Sequence, residues 1–172
     1  MVEERKWVRD NERLDHVTIG VGNWRNFSGE KTEINKLGLR KFNIFLPHDL
    51  AMDLLDIGWN VKEHAPYREG DDATYTLEIE ASYDTKDGRF PKPLVKLIAY
   101  DGTETLLSEE TIGMLDRADI EEATVEFRPN NWEVNGRWGC KAYLQELDVY
   151  LKKPRMARNA RLNSREDEEE EF

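Results

Sequence analysis

Cysteine is nearly absent from this sequence, and metal-binding spacings and glycine-rich phosphate loops are missing. The one cysteine, Cys140, excludes an internal disulfide bond and a cysteine-based zinc site. The three histidines, His16, His48 and His64, are scattered and match no metal-binding motif. The sequence also contains no nucleophile elbow and no dinucleotide-binding turn. We therefore expect a protein with no enzymatic activity, no metal and no cofactor.

Long apolar runs are missing as well, so the sequence predicts neither a membrane-spanning helix nor a signal peptide. Hydrophobic residues make up 38% of the 172 residues and charged residues 35%, which is typical of a polar, soluble domain. This length favours a single domain that buries one core and carries short terminal segments.

Positive charge is in short supply over most of the chain. The formal net charge is −11, and residues 1–151 alone contain 30 carboxylates against 19 lysines and arginines. Such a body is not expected to bind polyanions indiscriminately. A local basic groove remains compatible with it, because affinity follows the field in a cleft rather than the total charge.

The last 21 residues of the sequence separate the two signs of charge. Residues 152–165 contain six lysines and arginines and no carboxylate, whereas residues 166–171 are six consecutive carboxylates followed by Phe172. Like charges in a row repel one another and stay solvated, so Phe172 has no expected role in folding. We predict a flexible N-terminus at 1–16, a folded domain at 17–151, a basic segment at 152–165 and an acidic tail at 166–172.

The hydrophobic periodicity predicts a mainly β fold with two short helices. One helix is predicted at 47–57, where Pro47 suits the first turn, and a second at 108–117, where Ser108 is the expected N-cap. A helix before a final strand pair is the order of an OB-fold barrel, so we predict an OB-fold-like β-barrel, with an antiparallel α+β sheet as the alternative. Residues 129–140, rich in Asn, Gly and Trp, are predicted to form the loop between the last two strands. Strands are predicted at 17–22, 42–46, 75–83, 94–100, 120–128 and 141–151.

Three stretches interleave aromatic residues with cations, the combination that single-stranded nucleic acid requires for stacking and for phosphate contact. Trp24 and Trp138 each adjoin an arginine among Gly and Asn, where core packing is less expected than for the other aromatic residues. Core packing is the alternative for every aromatic residue in the set. The candidate DNA-binding residues are Trp24, Arg25, Phe27, Lys31, Arg40, Arg89, Phe90, Lys92, Trp132, Arg137, Trp138, Lys141 and Tyr143.

Two parts of the sequence resemble known families. The acidic end closed by Phe172 resembles the tails of single-stranded DNA-binding proteins of bacteria and tailed phages, and its short basic linker resembles the phage type more closely. The motifs at 22–29 and 132–144 are similar to paired motifs in small proteins of phage replication and recombination gene clusters. This resemblance implies a single-stranded DNA-binding protein in the cytoplasm of the infected bacterial host. It also implies that the tail recruits replication or recombination proteins through Glu168, Glu169, Glu170, Glu171 and Phe172.

The acidic body leaves an alternative open, namely a phage protein that mimics nucleic acid and binds or inhibits a host protein. A basic, aromatic groove would favour DNA binding, and a continuous acidic face would favour mimicry. A homodimer also stays open as an alternative, and no membrane association is expected.

Overall fold

The computed structural model describes residues 7–20 and 24–154. These residues form a sheet of nine strands, one α-helix and one 3-10 turn. The elements are β1 (Glu12–Ile19), β2 (Arg25–Asn26), β3 (Lys41–Leu46), α1 (His48–Ile57), β4 (Val61–His64), β5 (Thr74–Glu80), β6 (Leu94–Ile98), β7 (Glu104–Leu107), the 3-10 turn Ile112–Asp116, β8 (Ile120–Val134) and β9 (Arg137–Leu151).

Five of the strands close into a ring. The hydrogen-bonded order is β4-β5-β3-β1-β8-β9-β6-β7, and β5 also pairs in parallel with β9 through Ile79 with Ala142 and Glu80 with Tyr143. This short pairing joins the two ends of the path β5-β3-β1-β8-β9. The predicted OB-fold-like, mainly β architecture is confirmed, although the ring is less regular than a closed barrel.

The ring has an inner face that forms the core and an outer face that carries polar and aromatic groups. In β3, Phe42, Ile44 and Leu46 are buried, whereas the alternate residues between them are only half-buried. This period of two is what a strand with one solvated face requires. The outer face of β3, β5, β8 and β9 is therefore available to a ligand.

The first strand begins at Glu12, five residues before the predicted start at Val17. Leu14 and Val17 are both buried although they lie three residues apart, because the register shifts between them and His16 adopts a φ of 57°. This bulge conceals the alternation of the strand in the sequence. Part of the predicted flexible stretch 1–16 therefore belongs to the sheet.

The first predicted helix, 47–57, is confirmed as α1, which buries Ala51 and Leu54. It ends at Gly58, whose φ of 121° is accessible to glycine and whose N–H donates to the carbonyl of Leu54. In the part of the chain that the structure describes, no helix is long and apolar enough to cross a membrane.

The second predicted helix, 108–117, is reduced to the 3-10 turn Ile112–Asp116, preceded by a turn in which the Ile112 N–H donates to the Ser108 carbonyl. Tertiary contacts hold this segment short. A Cβ on Gly113 would lie 3.0 Å from Cβ of Ser28, and the Asp116 carboxylate accepts the backbone N–H groups of Phe27 and Ser28. The turn thereby fixes the chain that follows Trp24.

The predicted loop at 129–140 is instead the far half of a long hairpin. Strands β8 and β9 each contain 15 residues and are joined only by Asn135 and Gly136, whose φ values of 52° and 77° match a two-residue type I′ turn. The Asn- and Gly-rich composition of the whole stretch is typical of a loop, which is why the sequence predicted one there. The Asn-Gly pair alone makes the turn, and the residues on either side of it form the ladder.

Candidate functional site

An aromatic group lies at one end of the outer face. The Trp24 ring is 38% exposed, and its centroid lies 6.1 Å from that of Phe45 and 5.0 Å from that of His64. His64 is held in turn by a 2.8 Å hydrogen bond between its Nε2 and Oγ1 of Thr76. The Trp24 ring is thus supported from below and open above, which is the geometry of a stacking platform.

A cleft of about 540 Å³, which we call the Trp24 cleft, lies beside this ring. Its floor is the outer face of β3, including Asn43, and one wall is the loop at 32–39, from which Ile34 projects almost fully exposed. Lys41 and Glu78 also line the cleft, and their Nζ and Oε1 atoms lie 3.1 Å apart. The cleft therefore combines apolar surface with a balanced pair of charges.

The wall that carries Ile34 is held in place by the side chain of Asn35. Its Nδ2 donates to the carbonyls of Glu30 and Leu39, and its Oδ1 accepts the N–H of Leu39. One amide thus closes a ten-residue loop at its neck. We infer that the loop has a defined shape and that Ile34 keeps its position beside Trp24.

A stack of rings around one guanidinium lies at the other end of the outer face. The Arg128 guanidinium carbon is 4.2 Å from the centroid of the Phe90 ring and 4.8 Å from that of Tyr143. Burial lowers the pKa of Arg128 and raises the pKa of the Tyr143 hydroxyl. One face of each ring is therefore covered by a cation that orients it, which is a favourable cation–π arrangement.

A second cleft of about 350 Å³, the Trp132 cleft, lies between the hairpin and the chain that follows α1. The Trp132 ring is 37% exposed and packs directly on Gly139. The contact is so close that a Cβ atom at position 139 would lie only 2.7 Å from the ring. Trp138 and Glu80 line the same cleft. Glu78 lines both clefts, so the two are neighbours on the outer face.

Four predicted cations are exposed on β9 and on the loop between β5 and β6. None of the four has a close ion pair within the described residues, although the pKa of Glu110 is lowered by hydrogen bonds and then by the charge of Lys92. Two follow the turn of the hairpin on β9, and the other two lie in the loop between β5 and β6, next to Phe90. They are Arg137, Lys141, Arg89 and Lys92.

Phe27 is not a stacking residue, which corrects the prediction made from its neighbours. Its side chain is 0% exposed, and its ring stacks on that of Phe42 with centroids 4.6 Å apart in the core. The reason is the short strand β2, which pairs with β3 and turns the next residue inward.

Three predicted cations have other surroundings. Arg25 is half-buried and its Nη2 donates to the Ala118 carbonyl at 2.8 Å, while burial lowers its pKa against the opposing effect of nearby carboxylates. Arg40 lies 3.6 Å from Oε1 of Glu109 and above the Tyr83 ring, so it is largely engaged in the fold. Lys31 is exposed on the loop that carries Ile34.

Carboxylates occupy the opposite half of the hairpin, far from its turn. Glu126 and Glu146 lie directly across from each other on β8 and β9, and Asp148 lies two pairs further along. Glu122 pairs with His16 at 2.8 Å, and this hydrogen bond raises the pKa of the His16 imidazole. Cations and aromatic rings are thus concentrated near the hairpin turn, and negative charge near its base.

Sequence reasoning missed Arg128, Phe45 and Glu80. Arg128 was detectable, since a turn centred on Asn135 and Gly136 places residues whose numbers add to 271 opposite each other, and this pairs Arg128 with Tyr143. The other two come together with their neighbours only through the β3–β5 and β5–β9 pairings, which no local pattern predicts.

A ring of strands that carries exposed aromatic rings and exposed cations is the OB-like arrangement typical of nucleic-acid-binding proteins. Residues 3–167 match the family described as phage ssDNA-binding domain. The chain therefore belongs to the phage single-stranded DNA-binding domain family, as its motifs had predicted. Because this family consists of binding proteins, the prediction that the protein is not an enzyme is confirmed.

Solved structures with the same fold come from bacteriophage Enc34. Its single-stranded DNA-binding protein in complex with ssDNA is 10% identical, with a TM-score of 0.53, and 84% of this chain and 88% of that one are covered. The C-terminal truncation of the Enc34 protein has the same 10% identity and a TM-score of 0.52, over 90% of this chain and 99% of that one. No curated protein matches the sequence.

The predicted partner-binding residues 168–172 lie outside the described residues.

Proposed function

We propose that this protein coats single-stranded DNA during phage DNA replication and recombination, without strong sequence preference. The observation that carries the proposal is the pair of neighbouring clefts on one face, which we call the track: both are lined by Glu78, the first also by Trp24 and the second by Trp132. Exposed rings along such a track stack bases of any sequence, at roughly 1–3 kcal/mol per base.

The charges favour one course for the phosphates. Lys141 lines the Trp132 cleft, and Arg137 is exposed just after the hairpin turn. Arg89 and Lys92 flank Phe90, which packs on Arg128 in the middle of the hairpin, whereas carboxylates dominate the base of the hairpin. Phosphates would follow the cations and avoid the acidic half. This segregation allows a protein with a net charge of −11 to hold a polyanion.

The Enc34 protein supports the proposal, because its structure was determined in complex with ssDNA. At 10% identity it shares the fold rather than the side chains of the site, so the residues proposed for contact rest on the geometry of this chain.

The direct test is a titration of the protein with oligo(dT) followed by tryptophan fluorescence. We expect quenching, because Trp24 and Trp132 are more than a third exposed on the track, and an affinity that falls steeply as salt rises, since phosphate contacts release counterions. Duplex DNA of the same length is the control and should bind more weakly. Unquenched fluorescence together with no gel shift at low salt would rule the proposal out.

We also propose that the acidic end recruits replication or recombination proteins and competes with DNA for the track. The six carboxylates followed by Phe172 support recruitment, since the aromatic side chain would be the group that a partner binds. Deleting residues 166–172 should tighten binding of oligo(dT) at low salt and abolish copurification of such partners. Phe172→Ala is the matched control: it keeps the six carboxylates and DNA affinity but should lose the partners. Unchanged DNA affinity after deletion would contradict the competition.

The acidic half of the hairpin supports a second candidate, in which the protein mimics nucleic acid and binds a basic surface of a host protein. The facing carboxylates of Glu126 and Glu146 favour it. The oligo(dT) titration separates the two, because a mimic would not bind the oligonucleotide.

A further inference from the structure

One carboxylate oxygen on the track lacks a hydrogen bond within the described residues. Glu80 is only 8% exposed, and its Oε1 atom is buried without a hydrogen bond within the described residues. Thr76 is the other buried polar residue in this part of the chain, and its hydroxyl is satisfied by His64. Leaving a buried acceptor unsatisfied costs free energy, so this oxygen is a candidate for a partner that is not part of the fold. Nε1 of Trp59, which lines the same cleft, is a buried donor that also lacks a partner within the described residues.

The groups closest to Glu80 in the sheet do not supply the missing donor. Lys41 lies directly across from it on β3, but its ammonium contacts Glu78 at 3.1 Å. Tyr143 lies beside it on β9, and the pKa of its hydroxyl is raised first by burial and then by the charge of Glu80, so the two are neighbours without a hydrogen bond between them. Because this oxygen has almost no accessible surface, a ligand donor satisfies it only if the Glu80 side chain turns toward the cleft.

The surroundings of Glu80 identify the kind of donor. Glu80 lines the Trp132 cleft together with Trp132 and Trp138, so an aromatic surface adjoins the buried oxygen. The cleft is lined by two carboxylates, Glu80 and Glu78, and by one cation, Lys141, so a phosphate is favoured beside Lys141 and disfavoured beside Glu80. An uncharged nucleobase that stacks on Trp132 and presents an N–H group fits both the apolar wall and the acceptor.

We propose that the Trp132 cleft is a base-reading subsite in which Glu80 accepts a hydrogen bond from the exocyclic amino group of a base, cytosine among the pyrimidines. Carboxylates accept from cytosine N4 in the same way in duplex recognition. Uracil and thymine carry a carbonyl oxygen at that position, and their imino N–H lies between two carbonyl oxygens that repel a carboxylate. This subsite rests on the proposed function and adds a modest base preference to an otherwise nonspecific track.

The test compares oligo(dC) with oligo(dU) of equal length, because the two bases differ only in the amino group and the ring proton beside it. Binding is measured at pH 8, where cytosine is unprotonated, and at one salt concentration. The unaltered protein should bind oligo(dC) about tenfold more tightly, within the range for one good base contact. Equal affinities would overturn the subsite but leave the proposed function intact, whereas binding of neither strand would overturn both.

Glu80→Gln identifies the residue responsible. A glutamine amide either accepts or donates, so it serves both bases and should bring the affinity ratio close to one. Glu78→Gln is the matched control, since it removes the same charge from the same face of β5 at an exposed, lysine-paired position. Both variants should bind DNA more tightly overall, and only Glu80→Gln should lose the preference. A ratio that survives in Glu80→Gln would assign the preference to another group.

Discussion

Phe27→Ala is expected to lower the free energy of unfolding by about 3–5 kcal/mol, the usual cost of truncating a buried phenylalanine. Phe27 is 0% exposed and stacks on Phe42, so the substitution leaves a cavity inside the ring of strands. Urea unfolding followed by circular dichroism measures this loss. The residue was a candidate for base stacking on sequence grounds, which makes the result diagnostic of its real role.

Trp24→Ala, three residues earlier, is the matched control. Its ring is 38% exposed on the outer face, so its removal should lower stability much less while weakening binding of single-stranded DNA. A Phe27→Ala protein as stable as the unaltered one, with DNA binding selectively lost, would place Phe27 on the binding surface and contradict the fold described above.

Trp132→Ala should weaken binding of single-stranded DNA by roughly 1–3 kcal/mol, which is about 5- to 150-fold in Kd. The ring packs on Gly139 and borders the Trp132 cleft, so its loss removes a stacking surface without opening the core. Because Trp132 is one of the two exposed tryptophans expected to stack on bases, fluorescence quenching by oligo(dT) should also decrease. Filter binding at fixed salt measures the change in Kd.

Tyr100→Ala serves as the comparison for Trp132→Ala. Tyr100 is 48% exposed just after β6 and lines neither of the two clefts. The substitution therefore removes an exposed aromatic ring from outside the track. We expect its DNA affinity to equal that of the unaltered protein. Equal losses in the two variants would mean that the track does not direct binding.

The separation of charge explains how an acidic body accommodates a polyanion. Cations lie in the β5–β6 loop and beside the hairpin turn, and facing carboxylates lie at the hairpin base. At 0.1 M salt, interactions between exposed charges are screened beyond about 10 Å. A phosphate beside Lys141 therefore interacts mainly with the charges close to it. The total charge, which raised the strongest objection to DNA binding, is therefore the less relevant quantity.

Several features were predictable because their causes are local. Helix α1 follows from Pro47, the spacing of its leucines and the stop at Gly58, and the structure places it where the sequence did. The aromatic and cationic residues near Arg137 follow from composition. The hairpin register was also available from Asn135-Gly136, although the richness of that stretch in Asn and Gly concealed it.

Other features depend on contacts that no window of sequence contains. The bulge at His16 removes the alternation of β1, and the contact between Gly113 and Ser28 limits the second helix to a turn. The burial of Phe27 depends on the pairing of β2 with β3. In each case a partner from a distant part of the chain outweighs a local preference of a few tenths of a kcal/mol per residue.

The sequence by itself determined the family, the mainly β character and the kinds of residue proposed to contact DNA, because motifs, period and composition are properties of neighbouring residues. Only the tertiary structure decided which of those residues share a surface. The pairing of β2 with β3 sends Phe27 and Trp24 to opposite faces of the same ring. The parallel pairing of β5 with β9 brings the two clefts next to each other and leaves Glu80 with a buried oxygen in the cleft that Trp132 lines. Those relations arise from long-range strand pairing, whose register is set by the whole core at once.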